Sequence, residues 1–315
     1  MSQNILITGS SGFLGLKLCS ILSKSSHKIT ALDIRQPEEK FENINYEISS
    51  INEYLVNNVG KMKEFNLIIH TASILPFKSN KDELIETNVL TTLNLVKHIS
   101  NLQNTFLIYI SSSGVYGKPS KIPITKNTKF NPLDLYAQTK ITSEDNIKKY
   151  LAKDSFAIIR PRTILGNNRK GIFEIFFKLI KYNIPIPLPN SGIQKIQFVE
   201  VEDLARLIVH IGENKTSGEW PAGAPEPDSL INHLNSLGEK IDKKITTFNV
   251  NPKLFYFLGV LLIKLRIINF TKWHFGSFPY DFYFDSKWKP IEFEYQSSCE
   301  ETFLKSAQTY FSDKL

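Results

Sequence analysis

Tyr136-Ala-Gln-Thr-Lys140 places a phenol and an ammonium four residues apart. On a helix that spacing puts both on one face, one turn apart. Ser111-Ser-Ser-Gly-Val-Tyr-Gly117 follows an apolar run and offers hydroxyls at a strand end. Near the start of the chain, Ile5-Leu-Ile-Thr-Gly9-Ser-Ser-Gly12-Phe-Leu-Gly15 spaces its glycines as GxxGxxG. Gly9 permits a tight turn, Gly12 lets a pyrophosphate approach the backbone, and Gly15 lets a helix pack on a strand. The amides and dipole of that helix N-terminus then face the phosphates. Such a turn marks a dinucleotide site.

Together the three groups suit hydride transfer. A carbinol that gives up hydride must also lose its hydroxyl proton. A free tyrosine, with a pKa of about 10, is a poor base at neutral pH. A nearby lysine ammonium and a positive nicotinamide both favour the phenolate. A serine hydroxyl can orient the substrate oxygen and share its developing charge. Asp33 ends the second strand at the offset expected of a ribose-binding carboxylate. It can accept from both ribose hydroxyls and would repel a 2′-phosphate, so NAD is favoured. Arg35, two residues on, keeps NADP as the alternative.

Elements that could position these groups alternate along the chain. Ile5–Ile7, Lys28–Asp33, Asn45–Ile48, Leu67–His70, Phe106–Ile110 and Phe156–Ile159 read as strands. Phe13–Leu22, Glu83–Ile99 and Leu135–Leu151 read as helices. Continuous apolar strands between helices predict an α/β fold with a doubly wound parallel sheet and right-handed crossovers. After Pro161 the rhythm changes, and a Pro/Gly-rich loop is expected from Trp220 to Pro227. The expected division is a dinucleotide-binding domain over 1–165 and a smaller substrate-binding lobe over 166–315. Segments 196–201 and 203–211 are expected to return to the main domain as a strand and a helix.

The 315 residues are 42% hydrophobic, ample for a core. Cys19 and Cys299 are far apart with no zinc-ligand spacing, which argues against a disulfide framework and a metal, and for a reducing compartment. The first residues show no leader pattern, so a cytoplasmic location is expected. The net charge of +7 is spread over lysines interleaved with acids, unlike a nucleic-acid stripe. The apolar run Leu254–Ile263 is too short to span a bilayer and reads as a buried helix, with membrane-surface attachment the minor reading.

With these motifs in order, the chain resembles the extended short-chain dehydrogenase/reductases, specifically the NAD-dependent epimerase/dehydratase family. Further matching segments are His70-Thr-Ala-Ser73, Asn88-Val-Leu-Thr-Thr-Leu-Asn94, Arg160-Pro-Arg-Thr-Ile-Leu-Gly166 and Phe198-Val-Glu-Val-Glu-Asp-Leu-Ala205. The resemblance covers about residues 4–210 well and implies a Rossmann-type domain. It implies that Ser112 is the catalytic hydroxyl, Tyr136 the acid/base, and Lys140 the group that binds the nicotinamide ribose and tunes Tyr136. Thr71, Ala72 and Ser73 would line the cofactor, Glu47 and Ile48 would meet adenine, and Asn88 would support the site. Ser11, Phe13, Leu14 and Arg160 complete the expected cofactor contacts.

Relatives of this kind often act at C4 of nucleotide-diphosphate sugars. Dehydratases among them carry Asp-Glu after the catalytic Thr, whereas Ser113-Gly114 stands here. A 4-epimerase or 4-ketoreductase is therefore expected. The Arg that usually clamps the diphosphate is replaced by Ile196-Gln197, and the usual Asn of the RPxN segment is Thr163. Arg162, Arg169, Lys170, Lys195 and Lys272 are candidates to compensate, and His274 stands near a second missing Arg. The departures leave two alternatives, a hydroxysteroid-dehydrogenase-like enzyme of apolar alcohols and a non-catalytic NAD(P) sensor. The resemblance also implies a homodimer, with the helices near 83–99 and 135–151 as its interface.

Overall fold

The computed structural model describes residues 2–75, 79–167, 169, 171–265, 267–268, 270 and 272–312. The chain begins β1 (Asn4–Thr8), α1 (Phe13–Leu22), β2 (Lys28–Asp33), β3 (Ile44–Ile48), α2 (Ile51–Asn57), α3 (Val59–Met62) and β4 (Leu67–His70). Next come α4 (Lys81–Ile85), a π-helical turn (Glu86–Leu90), α5 (Thr91–Ile99), β5 (Phe106–Ile110), a 3-10 turn (Ser113–Tyr116), α6 (Leu135–Tyr150) and β6 (Phe156–Pro161). The remainder holds β7 (Thr163–Leu165), α7 (Ile172–Lys181), β8 (Ile186–Pro189), β9 (Lys195–Ile196), β10 (Phe198–Glu200), α8 (Val201–Asn214) and β11 (Gly218–Ala222). It closes with β12 (Asp228–Ser229), α9 (Leu230–Lys240), β13 (Thr247–Val250), α10 (Pro252–Lys264), α11 (Lys272–Ser277) and α12 (Cys299–Phe311).

Seven strands form one parallel sheet in the order β11-β6-β5-β4-β1-β2-β3. The order reverses between β1 and β4, the place where such sheets bind ligands beyond their carboxyl ends. Alternation along each strand sorts side chains to the two faces. Ile5, Ile7, Ile108 and Ile110 point to the face covered by α1 and α8. Leu6, Ile68, Leu107 and Tyr109 point to the face covered by α2, α5 and α6. A second apolar core, built from α7, α9, α12 and β8, gathers around Phe198.

Several sequence expectations change. The presumed loop from Trp220 begins within β11, which pairs with β6 and accommodates Pro221 because it is the sheet edge. The segment 196–201 is not one strand. Lys195–Ile196 pairs with β12, and Phe198–Glu200 pairs with β7, outside the large sheet. The helix near 83–99 is interrupted by the π turn, which the apolar period does not announce.

The run Leu254–Ile263 is helical but not buried. Only Phe255 and Gly259 turn fully inward, against Phe275, whose ring centroid lies 5.3 Å from that of Phe255. Phe257 is 65% exposed and Leu254 50%. This narrow seam leaves Leu254, Phe257, Leu258 and Leu261 exposed. Among the described residues no helix is long and apolar enough to cross a membrane.

Candidate active site

The bend after β1 is built around glycine. Gly9 has φ +73°, a left-handed conformation, and a Cβ there would lie 2.6 Å from the Ala72 backbone nitrogen. A Cβ on Gly15 would collide with the Gly9 carbonyl and with Ser10, so α1 can rest on the bend only because nothing is there. Gly12 caps α1 without a side-chain hydrogen bond. Asp33 stands beside this bend. Its carboxylate accepts from the Ser11 amide at 3.0 Å and from the Arg35 amide at 3.0 Å, with the Arg35 Nε at 3.6 Å. Ser11 Oγ donates to the Arg35 carbonyl at 2.8 Å, tying the two turns together. Ile48 pairs with Asp33 at the neighbouring strand end, and Glu47 meets Lys61 at 3.7 Å.

Asp134 caps α6 by accepting from the Ala137 amide at 2.9 Å, which fixes the first turn carrying Tyr136. Lys140, one turn on, is buried. Its ammonium donates to the Ile110 carbonyl at 2.9 Å, at the end of β5, and lies 5.7 Å from the Tyr136 ring centroid. Burial lowers the Lys140 pKa to about 7, opposed by the Glu144 carboxylate. Burial pushes the Tyr136 phenol up to about 12; Ser73 pulls it down, Asp134 raises it and Arg169 lowers it. The turn after β5 packs on the same helix through Gly114 and Ala137. Of its three serines only Ser112 stays partly open. Its Oγ accepts from the Gly114 amide at 3.0 Å. Ser111 Oγ donates to Glu144 at 2.5 Å, and Ser113 Oγ accepts from Arg162 at 3.2 Å.

A polar layer lies beneath these groups. The Asn88 carboxamide oxygen accepts from Ser73 Oγ at 3.1 Å and the Ile74 amide at 2.9 Å, and its amide nitrogen donates to the Ile74 carbonyl at 3.1 Å. Ser143 Oγ donates to the Asn88 carbonyl at 2.6 Å, which joins α6 to the π turn. His70 is buried between Thr8 Oγ1 at 2.7 Å and Thr92 Oγ1 at 2.9 Å. Its pKa falls to about 3, mainly through burial, with a contribution from Lys140. Thr71 Oγ1 donates to the Thr8 carbonyl at 2.8 Å. These contacts fix the loop Thr71-Ala-Ser73 against the glycine bend. The polar partners of His70 were not foreseen, although its place at the inward end of β4 is a usable signal.

Arg160, expected at the cofactor, is engaged by protein partners. Its guanidinium is buried and donates to Glu144 at 2.6 and 2.9 Å, to Tyr116 Oη at 3.0 Å, and to Glu219. Burial would lower its pKa, but Glu144 outweighs that and holds it well above the usual arginine value. Arg162, two residues on, is equally buried but has no carboxylate partner among the described residues. Desolvation lowers it to about 9, and it stacks 4.0 Å from the Phe282 ring centroid. Arg169 folds back over the Phe13 ring at 4.8 Å, beside the glycine bend. Gln197, standing where an anion clamp was sought, spends its amide on the Ala224 carbonyl and the Phe284 amide, both at 2.9 Å. Lys195 and Lys272 are exposed, and Lys170 lies outside the described residues.

The structure therefore assembles Ser112, Tyr136, Lys140, Ser73 and Asn88 at one carboxyl edge, with the glycine bend and Asp33 alongside. Known proteins resemble this chain in sequence and fold. The uncharacterized protein y4nG of Sinorhizobium fredii is 29% identical over 228 residues, covering 71% of this chain and 57% of that protein. The chain thus spans little more than half the length of that relative. A UDP-glucose 4-epimerase of Vibrio cholerae is 29% identical over 219 residues, covering 66% of each. A crystal structure of UDP-glucuronic acid 4-epimerase from Bacillus cereus, in complex with NAD, superposes with a TM-score of 0.77 at 20% identity, covering 99% of this chain and 100% of the other. That likeness shows the fold. The model of the NAD dependent epimerase/dehydratase family matches residues 5–222, from the first strand of the sheet to the last, and the chain belongs to that family.

Proposed function

We propose that this protein binds NAD and interconverts the C4 configuration of a nucleotide-diphosphate sugar, with Tyr136 as acid/base. The observation that carries this reading is the placement of Tyr136 and Lys140 on one face of α6, against the end of β5 and beside the partly open Ser112. The glycine bend fits a dinucleotide: a Cβ on Gly9 or Gly15 would strike the backbone of Ala72 or Ser10 and break the bend, while Asp33 is anchored where ribose hydroxyls would meet it. An anionic carboxylate at that position favours NAD over NADP. Thr71, Ala72, Ser73 and Lys140 would hold the nicotinamide half, and Glu47 and Ile48 the adenine side. Arg160, whose guanidinium is engaged by Glu144, Tyr116 and Glu219, is left out of this binding proposal.

Bound NAD would supply a hydride acceptor at C4 and a donor for the return step. Tyr136 takes the C4 hydroxyl proton as the carbinol becomes a ketone, and gives it back when the carbonyl is reduced from the other face. Ser112 donates to the same oxygen and stabilises its charge. Because burial raises the phenol, the positive charges around it must favour its ionisation. Lys140 and Arg169 lie within reach to do so. Ser113-Gly114 offers no carboxylate for elimination of water. Epimerisation is favoured over net reduction by the 4-epimerase named among the relatives.

The test is incubation with NAD and UDP-glucose, UDP-N-acetylglucosamine or UDP-glucuronic acid, followed by proton NMR of the sugar. A C4 epimer formed without net NADH supports epimerisation, and stoichiometric consumption of added NADH supports a 4-ketoreductase. Full turnover in Tyr136→Phe would overturn the acid/base assignment. An apolar alcohol as the sole substrate would overturn the sugar assignment.

A further inference from the structure

Helix α10 carries an apolar stripe that no described residue covers. Leu254, Phe257, Leu258, Leu261 and Leu265 are all exposed and recur at i, i+3, i+4, i+7 and i+11. At 3.6 residues per turn these five side chains fall within roughly 100° of arc. Lys253 and Lys264, both exposed, fall within about 20° of one another along one margin of that arc. Phe255 and Gly259 point the other way, onto Phe275. Strand β13, which leads into the helix, adds an exposed Phe248.

The stretch of sequence that carries this stripe, between Asp242 and Asp281, has charge of one sign. From Lys243 to Tyr280 the sequence contains six Lys or Arg and no Asp or Glu. A segment of 38 residues without a carboxylate is unusual in a chain that has 31 acidic residues in all. Helix α10 is 13 residues long, about 20 Å, so it cannot span a hydrocarbon core of about 30 Å. An apolar face edged by lysines on such a short helix suits burial in the plane of an interface, with the lysine stems running up to the headgroups.

We propose that α10 docks this protein on the surface of an anionic bilayer. Leu254, Phe257, Leu258, Leu261 and Leu265 would enter the acyl boundary, and Lys253, Lys264 and Lys272 would meet lipid phosphates. A second copy of the chain fits less well. A two-fold interface places a patch against itself, and this patch would oppose cations to cations with no carboxylate to pair them. Docking also bears on the active site. Gly276 of α11 lies against Leu133, which precedes the Asp134 cap of the helix carrying Tyr136. One rim of the site therefore adjoins the docking end. This inference stands independently of the sugar substrate.

The test is co-sedimentation of the full chain with vesicles of phosphatidylcholine alone or of phosphatidylcholine with phosphatidylglycerol. Binding is expected to the anionic vesicles only and to weaken in high salt. Phe257→Gln with Leu261→Gln should abolish it. Lys253→Glu with Lys264→Glu should weaken it by about tenfold or more, since each basic residue near an anionic surface contributes a several-fold factor. Thermal unfolding midpoints matching the wild type would exclude misfolding as the cause. No binding of the wild type to anionic vesicles overturns the proposal. Equal binding by the Phe257/Leu261 variant overturns it too, as does a dimer in sedimentation velocity that this variant dissolves while vesicles are ignored.

Discussion

Strand β5 and helix α10 are both apolar runs, Phe106-Leu-Ile-Tyr-Ile110 and Leu254-Phe-Tyr-Phe-Leu-Gly-Val-Leu-Leu-Ile263, yet one is wholly buried and the other largely in water. β5 has a parallel neighbour on each edge and a helical layer on each face. α10 has one narrow seam on α11. Hydrophobicity alone therefore does not say where a segment lies. The number of elements that can reach it decides, and that number follows from topology. The same contrast runs through their side chains: those of β5 are enclosed on both faces of the sheet, and on α10 Leu254, Phe257, Leu258 and Leu261 face outward.

That contrast is testable by substitution, beginning where the largest response is expected. Tyr136→Phe should lower turnover on the order of 10²–10⁴-fold, the usual range for loss of a general acid/base, without lowering the melting temperature. Steady-state kinetics with calorimetry would show both. Glu144→Ala strips Arg160 of its buried partner and should destabilise the fold by about 3–5 kcal/mol, read from urea unfolding.

A smaller effect is expected with pH. His70 is held at a pKa of about 3 in the folded chain, against about 6.5 when unfolded. Between those values the unfolded chain binds a proton that the folded chain refuses. Stability should therefore fall on acidification, by roughly 1–2 kcal/mol between pH 7 and pH 5, and His70→Asn should flatten that slope. At the bottom of the scale, Phe257→Gln should change unfolding free energy by less than about 0.5 kcal/mol. A larger loss would mean that α10 is packed after all.

Much of the first half of the chain was legible because its signals are local. Gly9, Gly12 and Gly15 must be small for steric reasons that spacing alone reveals, and the spacing of Tyr136 and Lys140 needs only a helix to make sense. Continuous apolar runs marked β1, β4, β5 and β6 of the large sheet. What escaped depends on distant partners. Arg160 sits in a familiar segment, but Glu144 and Glu219, which claim its guanidinium, lie 16 and 59 residues away. β11 contains a proline and reads as a loop until β6 is seen beside it. The exposure of α10 follows from what is not adjacent to it, which no window of sequence contains.

The π turn at Glu86–Leu90 has a consequence for how the family's sequence can vary here. Its wide turn sets the angular position of Asn88, on which the loop at Ser73 and the hydroxyl of Ser143 both converge. Deleting a single residue upstream in that helix would rotate Asn88 by about 100° and detach β4's loop from α6 in one step. Length, more than side-chain identity, is the quantity this stretch of chain cannot surrender.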